Sequence, residues 1–375
     1  MSDPQISMLI MPKWGMTMTE GRVVKWLVPE GANVAAGDEV LDVETEKIAN
    51  AVEAPVTGVL RRHVAGEGQA VPVSGLLAIF ADPAVTDAEV DAFVEGFLAD
   101  FTPEDADAGA EAEGPAPESV QVADRSIRYL KLGEGGEPVL LIHGFGGDQN
   151  AWLFNHEFLS AGRTVYALDL PGHGGSSKDV GDGTVGVLAG VVAGFMDALE
   201  LGAAHVVGHS LGGAVAAELA LAEPGRVLSL TLVSSIGLGS EINGEFVNGF
   251  ARGQRRGEIK PVLEVLFADP TLVTRRLVED VLRYKRLDGV DEALATIAAS
   301  MVADDGTQKV AIRDRLTDYP GSVLVIRGAH DQIVPPGHAD GLPETVRTEI
   351  VDVAGHMPMM ESPTEFNRLL LDFLP

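Results

Sequence analysis

The sequence predicts two domains of different fold class, a small all-β sandwich followed by a larger α/β domain with a buried parallel sheet. Residues 1–82 contain short alternating strands within an internal repeat, whereas residues 120–375 alternate continuous Val/Leu/Ile runs with helix-length segments. The interval between them, 83–119, ends in an acidic stretch that is poor in large apolar side chains. Because 46% of the 375 residues are hydrophobic, the chain can bury both cores.

Composition and charge exclude several classes of function. A formal net charge of −29 repels nucleic acid and anionic membranes over a Debye length of ~8 Å in physiological salt. No window approaches 18 consecutive apolar residues, and residues 1–5 lack the basic-then-apolar pattern of a signal peptide, so a cytoplasmic protein is expected. The absence of cysteine excludes disulfides, thiolate metal sites and a cysteine nucleophile, and we expect no metal.

An internal repeat predicts the symmetry of the first domain. Residues 21–31 (GRVVKWLVPEG) align with residues 58–68 (GVLRRHVAGEG). The same register continues into predicted strands over 39–43 and 76–80. Two similar halves of short strands, punctuated by Gly and Pro, indicate a pseudo-twofold β-sandwich.

Lys47 lies at the junction of the two halves, where a tight hairpin over residues 44–50 would hold it in solvent. By position it is either an ordinary solvated turn residue or a site of attachment. The surrounding motifs resemble lipoyl domains over residues 5–82. They are Met16-Thr-Met-Thr-Glu-Gly21, Trp26, Pro29-Glu-Gly31, Val34, Gly37-Asp38, Val43-Glu-Thr-Glu-Lys-Ile48 and Ala54-Pro-Val-Thr-Gly58.

This resemblance implies that Lys47 carries lipoate in amide linkage, joined to it by a lipoate-attaching enzyme. The related biotinyl domains have methionines flanking their lysine, whereas Lys47 lies between Glu46 and Ile48. Lipoyl domains often have Asp and Ala in these two places, so the flanking residues depart slightly from the pattern. Lipoate is a group carrier, and it would supply the thiol chemistry that a cysteine-free chain lacks.

Residues 83–119 predict a helix followed by a flexible linker. Residues 87–101 place apolar side chains at helical spacing, and this helix either packs on a neighbouring domain or docks a partner. No Lys or Arg occurs between Arg62 and Arg125. The 17 residues 102–118 are acidic and rich in Ala, Pro and Gly. They would span roughly 25 Å as a flexible coil and roughly 60 Å when extended, which permits an attached group to travel.

Six apolar runs predict the strands of the second domain. Continuous runs separated by helix-length segments are typical of a parallel sheet that is buried on both faces. Function is then expected at the carboxyl ends of the strands. The predicted strands are 138–143, 164–169, 204–208, 228–234, 322–327 and 348–352.

A candidate nucleophile follows the third of these strands. The segment Gly208-His-Ser-Leu-Gly212 joins that strand to an Ala-rich helix predicted over 213–222. The sharp turn exposes Ser210, and the helix N-terminus favours developing negative charge. The amide of Leu211 and that of Phe145, in the glycine-rich turn after the first strand, are candidates for an oxyanion hole.

Two later loops supply a candidate acid and base. Asp331 follows the strand that ends at Arg327, and His356 lies in the loop after the last strand. Residues after 232–234 include no nearby carboxylate, which makes Asp331 the preferred acid. Four other polar residues are expected to hold turns instead of taking part in catalysis: His143, His173, His209 and Asp169.

Residues 120–375 resemble the α/β-hydrolase family, through these motifs and through Leu170-Pro-Gly-His-Gly-Gly-Ser176. The resemblance implies that Ser210 is the nucleophile and that His356 takes its proton. It also implies that Asp331 fixes the imidazole tautomer and stabilises the charge that forms.

Residues 236–318 interrupt the strand pattern with helical segments and predict a lid. The cations of this segment either bind an anion or belong to a solvated face that pairs with acidic groups. They are Arg252, Arg255, Arg256, Lys260, Arg275, Arg276, Arg283, Lys285 and Arg286.

A lipoyl domain, an acidic linker and an α/β-hydrolase domain, in this order, resemble the lipoyl-dependent acyltransferase subunits of acetoin dehydrogenase systems. The resemblance implies acetyl transfer from lipoyl-Lys47 to coenzyme A. It also implies two partners, a thiamine-diphosphate-dependent dehydrogenase subunit and dihydrolipoyl dehydrogenase. The chain departs from usual acyltransferase subunits because it lacks a His-x-x-x-Asp-Gly motif and an evident basic subunit-binding domain. A tethered ester, thioester or carbon–carbon hydrolase and a non-catalytic carrier remain as alternatives.

Overall fold

The computed structural model contains two compact units, residues 1–114 and residues 115–375. Lys47 and most of the predicted linker lie outside the residues that the structure describes. Within the described ranges, no helix combines the length and apolar character needed to span a bilayer. The described ranges are 6–12, 18–44, 49–82, 84–101 and 116–374.

The described part of the first unit forms a sandwich of two four-stranded antiparallel sheets. One sheet has the order β1-β8-β6-β3 and the other β5-β4-β2-β7. Strand β2 of the first half therefore pairs with β7 of the second, while β1 and β3 of the first half pair with β8 and β6 of the second. This exchange confirms the predicted pseudo-twofold sandwich. The strands are β1 (Ile6–Ile10), β2 (Glu20–Trp26), β3 (Asn33–Val34), β4 (Glu39–Glu44), β5 (Ala49–Glu53), β6 (Gly58–His63), β7 (Ala70–Pro72) and β8 (Leu76–Ala81).

The core of the sandwich comes from side chains that alternate along these strands. Val23, Leu41, Leu60 and Leu77 are fully buried between the sheets. Gly21 belongs to the same core, since a Cβ there would lie 2.7 Å from Met11 Sδ. The period of two that identified the strands in the sequence is thus the period of core packing.

Helix α1 (Asp87–Asp100) packs on the outer face of the β1-β8-β6-β3 sheet. Thr86 caps it, with Glu89 completing a capping box. Val90 is buried against Ile79, and Arg61 forms an ion pair with Asp87 at 2.7 Å. This contact corresponds to the packing alternative for the amphipathic helix.

The described part of the second unit contains a mixed eight-stranded sheet. Its order is β16-β15-β14-β13-β11-β12-β10-β9, with β11 to β16 parallel and with β9 and β10 forming an antiparallel hairpin at one edge. The six predicted parallel strands are confirmed, and the edge hairpin was not predicted. The strands are β9 (Glu118–Val122), β10 (Arg125–Leu132), β11 (Val139–Ile142), β12 (Val165–Leu168), β13 (Ala204–His209), β14 (Val227–Val233), β15 (Ser322–Gly328) and β16 (Val346–Val351).

Helices cover this sheet and bury its central strands. Each residue of β11, β12 and β13 is buried. One hydrophobic cluster joins Leu141 and Val207 of the sheet to Trp152, Phe366 and Leu370. The helices outside the predicted lid are α2 (His156–Leu159), α3 (Val185–Ala198), α4 (Leu211–Ala222), α9 (Pro358–Glu361) and α10 (Pro363–Phe373).

The chain between β14 and β15 is mainly helical, as the sequence predicts for residues 236–318. Short 3₁₀ turns at Pro270–Leu272 and Arg313–Asp318 accompany the longer helices. We use "lid" for residues 236–318. Its α-helices are α5 (Gly244–Arg252), α6 (Arg256–Glu264), α7 (Arg275–Lys285) and α8 (Val290–Met301).

Candidate active site

Ser210 lies at a strained turn between β13 and α4. Its backbone has φ 52° and ψ −115°, a conformation that a non-glycine residue adopts only when its surroundings hold it there. Glycines at positions 208 and 212 allow the backbone segments around Ser210 to pack closely against one another. A Cβ on Gly208 would lie 2.2 Å from Gly212 O, and one on Gly212 would lie 2.3 Å from His143 O. This is the geometry expected of a nucleophile turn, with Ser210 at its apex.

Asp331 and His356 come together as the sequence predicts. His356 Nδ1 donates to Asp331 Oδ2 at 2.8 Å, and both side chains are buried. The other oxygen, Oδ1, accepts from the amides of Ile333 and Val334. Burial raises the pKa of Asp331, but the charge and hydrogen bond of His356 and these amides outweigh it, so the pKa is lowered from its ordinary value. An ionised Asp331 fixes the proton of His356 on Nδ1.

His209 holds the backbone of His356. Its Nε2 donates to the carbonyl oxygen of His356 at 2.9 Å, and the two ring centroids are 4.8 Å apart. Burial, followed by the nearby His356 charge, lowers the pKa of His209 to about 3. His209 is therefore neutral at physiological pH and acts as a hydrogen-bond donor, in agreement with the structural role predicted for it.

The two candidate oxyanion amides have no hydrogen-bond acceptor within the described ranges. Among the described residues, neither Phe145 nor Leu211 donates its backbone N–H to a hydrogen bond. Leu211 is the first residue of α4, where unsatisfied N–H groups are expected. A Cβ on Gly144, the residue before Phe145, would lie 3.0 Å from Ser210 Cβ. The turn that carries Phe145 thus lies directly against the nucleophile.

Ser210 and His356 are the pair between which proton transfer is expected. In the part of the chain that the structure describes, no hydrogen bond joins the Ser210 hydroxyl to the ring of His356. The structure brings Asp331 to His356 and places His209, the neighbour of Ser210, against His356. In sites of this type the bond between nucleophile and base is often long without substrate and tightens when substrate binds.

The remaining polar residues of this region hold loops. His143 bonds Gly144 O through Nδ1 and accepts from Leu170 N through Nε2, at 2.7 and 2.9 Å. Asp169 accepts from the amides of Gln149 and Gly175. These bonds join the glycine-rich turn after β11 to the loop after β12, which agrees with the non-catalytic roles predicted for His143 and Asp169.

Lid residues contact the loops of the site directly. The ring of Phe250 in α5 lies 5.8 Å from that of Phe145, and Tyr284 in α7 donates its hydroxyl to Gly172 O at 2.8 Å. Leu266, after α6, accepts a hydrogen bond from the amide of His356 at 2.8 Å. The lid is therefore bound both to the oxyanion turn and to the loop of the base.

Many of the lid cations pair with carboxylates. Arg275 lies 2.6 Å from Glu279, and Lys285 lies 3.3 Å from Asp291. This pairing favours an ion-paired role over a dedicated anion site for both cations, at the exposed surface for Arg275 and in the interior for Lys285. Further ion pairs of these cations join Lys260 to Glu264, Arg276 to Asp280 and Arg283 to Asp280.

The strands that flank Lys47 are described, although Lys47 is not. β4 and β5 pair in antiparallel fashion, and Glu44 is opposite Ala49 at the end of their ladder. The chain that carries Lys47 therefore leaves and re-enters the same pair of strands. The sandwich to which these two strands belong has the pseudo-twofold form expected of lipoyl domains.

Glu361 is a residue of the site that sequence analysis missed. Its carboxylate accepts three hydrogen bonds, from the amides of Gly355, Met357 and Ala268. Burial raises the pKa of Glu361 to about 7, although these amides and the charge of His356 act in the opposite direction. The available signal was a carboxylate five residues after His356 in an otherwise apolar stretch.

Each of the two units matches a known protein family. Residues 7–80 match the biotin-requiring enzyme family, and residues 137–363 match the alpha/beta hydrolase fold family. The fold and these matches therefore define a lipoyl-type domain followed by an α/β-hydrolase domain, in which Ser210 lies at a strained turn between strand and helix.

Two relatives match over nearly the whole chain. The dihydrolipoyllysine-residue acetyltransferase component of the acetoin cleaving system from Pseudomonas putida is 48% identical, over 99% of this chain and 99% of that protein. The component of the same name from Cupriavidus necator is also 48% identical, over 98% of this chain and 97% of that protein. The chain belongs to this family of acetoin-system acetyltransferase components, and it is an acyltransferase.

A solved structure resembles the second unit alone. The meta-cleavage product hydrolase from Pseudomonas fluorescens superimposes with a TM-score of 0.62 and 26% sequence identity. The match covers 68% of this chain and 96% of that one. The acyltransferase thus shares the architecture of its second unit with a hydrolase.

Proposed function

We propose that this protein transfers an acetyl group from lipoyl-Lys47 to coenzyme A through a covalent acyl-Ser210. The observation that carries the proposal is the buried pair of His356 and Asp331. This pair lies at the carboxyl ends of the parallel strands, where Ser210 occupies its strained turn. A serine hydroxyl is a poor nucleophile near neutral pH unless a base removes its proton, and this pair provides such a base.

Lys47 is proposed as the attachment site of lipoate. When bound, lipoate supplies a dithiol that holds the acetyl group as a thioester. The chain contributes the attachment point at the end of the β4–β5 ladder and, in residues 102–118, a segment long enough to let the group reach other active sites. Lipoate in place of biotin is supported by Glu46 and Ile48 beside the lysine.

Ser210, His356 and the two amides carry out the transfer. His356 Nε2 accepts the Ser210 proton while Oγ attacks the thioester carbonyl, and the amides of Phe145 and Leu211 bind the oxyanion. The carbon–sulfur bond then breaks, and His356 returns the proton to the departing sulfur. The thiol of coenzyme A attacks the acyl-serine, gives its proton to His356 and leaves as acetyl-coenzyme A, while Ser210 regains its proton.

The partners follow from this role. We propose that a thiamine-diphosphate-dependent dehydrogenase subunit loads the acetyl group, that dihydrolipoyl dehydrogenase reoxidises the dithiol, and that all three belong to one multienzyme complex. The relatives' names, as components of an acetoin cleaving system, support this proposal.

Hydrolysis is the second candidate. It uses the same acyl-serine with water in place of coenzyme A, and the likeness to a meta-cleavage product hydrolase supports it. The ion pairs of the lid cations also leave fewer free charges to bind the phosphates of coenzyme A.

One assay separates the two candidates. Lipoylated protein is given S-acetyldihydrolipoamide with and without coenzyme A, and acetyl-coenzyme A and free acetate are both measured. Transfer predicts that acetyl-coenzyme A is the main product and that acetate release falls when coenzyme A is added. Acetate formation that is indifferent to coenzyme A would support the hydrolase.

A further inference from the structure

The loop that carries His356 is held by contacts on each side of the base. Its amide donates to Leu266 O at 2.8 Å, its carbonyl accepts from His209 Nε2 at 2.9 Å, and Nδ1 donates to Asp331 at 2.8 Å. Among the described atoms, His356 Nε2 has no hydrogen-bond partner, whereas the backbone nitrogen and Nδ1 of this residue each have one. The position of this nitrogen therefore depends on how firmly the loop is held.

Glu361 binds the same loop on both sides of His356. Its Oε1 accepts from Gly355 N at 2.9 Å and from Met357 N at 3.1 Å. When Glu361 is ionised, these hydrogen bonds from two amides to one oxygen are charge-assisted and stronger than neutral ones. They fix the peptide planes on either side of the base.

The second oxygen of Glu361 reaches the lid. Oε2 accepts from Ala268 N at 2.7 Å, two residues beyond Leu266, which binds the His356 amide. The two segments are also in close contact, because a Cβ on Gly355 would lie 2.7 Å from Ala268 N. A single carboxylate thus joins the loop of the base to residues 266–268 of the lid.

We propose that Glu361 is a positioning residue for the Ser210 reaction, which ties the His356 loop to residues 266–268 of the lid and so keeps Nε2 within reach of Ser210. This inference rests on the proposed function of Ser210. Because a displacement of 1 Å at a reacting group can cost about 100-fold in rate, loss of the tie lowers kcat more than it changes KM.

Two substitutions distinguish the hydrogen bonds of Glu361 to the His356 loop from its hydrogen bond to Ala268 in the lid. Glu361→Ala removes both oxygens, whereas Glu361→Gln keeps one acceptor oxygen for Gly355 and Met357 and replaces the acceptor for Ala268 with an amide nitrogen. Glu365→Gln, four residues further along, is the matched control. Each variant is prepared as lipoylated full-length protein, checked for folding by circular dichroism, and assayed with p-nitrophenyl acetate at concentrations that define kcat and KM.

We expect Glu361→Ala to lose at least tenfold in kcat with KM changed less than threefold, Glu361→Gln to lose less, and Glu365→Gln to match the parent. A folded Glu361→Ala with parental kcat would overturn the inference. Unfolding of both Glu361 variants would also overturn it, because the residue would then serve folding instead of positioning. Ser210→Ala, assayed in parallel, tests the proposed function separately: if it retains activity, the serine mechanism fails whatever the Glu361 variants do.

Discussion

Asp331 Oδ2 accepts a 2.8 Å hydrogen bond from His356 Nδ1, and both side chains are inaccessible to solvent. The carboxylate comes from the loop after β15 and the imidazole from the loop after β16. Because these two strands are parallel neighbours, the acid and the base both lie at the carboxyl end of the sheet. Ser210 lies at the same end, directly after β13.

The first prediction concerns the tautomer of His356. Asp331→Asn keeps the shape of the side chain, but it removes the charge that holds the proton on Nδ1. We expect kcat for acyl transfer to fall by about 10⁴-fold while the fold is kept. Steady-state kinetics of the variant measure this, with the exposed Asp352→Asn as the control. A loss of less than tenfold would mean that Asp331 is not the acid of the site.

The second prediction concerns Lys47. Lys47→Arg keeps the positive charge and removes the amine that forms the amide with lipoate. We expect intact-protein mass spectrometry to detect lipoyl on the parent and on the control Lys25→Arg, and none on Lys47→Arg. Lipoyl on the Lys47→Arg protein would place the attachment elsewhere.

The third prediction concerns the distance over which the linker lets the lipoyl group travel. Shortening residues 102–117 to five residues stops before β9, so it leaves both domains intact but limits the distance that the attached group can travel. Coupled turnover with the partner subunits should fall, while cleavage of free p-nitrophenyl acetate should keep its parental rate. If both activities fell equally, the segment would not act as a tether.

The fourth prediction concerns pH and His209. Its pKa is lowered to about 3 in the folded protein, from an ordinary value of 6.5. The unfolded chain therefore binds the proton more readily below pH 6.5, so the stability contributed by a neutral His209 is present above that pH and is lost as the pH falls towards 3. Between pH 7 and pH 5 this loss is about 2 kcal/mol.

The variant His209→Gln removes that proton-binding group and keeps an amide donor for His356 O. Urea unfolding at pH 7 and pH 5 should give a smaller difference in unfolding free energy for His209→Gln than for the parent. The exposed His330→Gln serves as the control and should behave like the parent. An unchanged difference in His209→Gln would contradict the assignment of acid sensitivity to His209.

Much of the fold could be predicted because core packing leaves a periodic pattern in the sequence. The continuous apolar runs of β11 and β15 are buried on both faces, and the alternation in β2 reflects a strand with one buried face. The β9–β10 hairpin was missed for a local reason. Its turn contains Ala123 at φ 51° and Asp124, so the glycine that usually marks such a conformation is absent.

Some residues of the candidate site could also be predicted from the sequence, and one was missed. Ser210, Asp331 and His356 could be predicted because each follows a recognisable strand, and strand ends converge at one edge of a parallel sheet. Glu361 was missed because its one signal is a lone carboxylate in an apolar stretch, and its partners are the backbone amides of Gly355, Met357 and Ala268. Backbone donors carry no residue-type signal, and Ala268 is 93 positions away in the chain.

Acetyl transfer by Ser210→Ala tests the serine mechanism most directly. The lipoylated variant should lose several orders of magnitude in the rate of acetyl-coenzyme A formation from S-acetyldihydrolipoamide, with a small residual rate from the oxyanion amides and substrate binding. Lipoylation of Lys47 should be unchanged, because that lysine belongs to the other domain. Acetyl-coenzyme A formation at the parental rate in Ser210→Ala would contradict the serine mechanism.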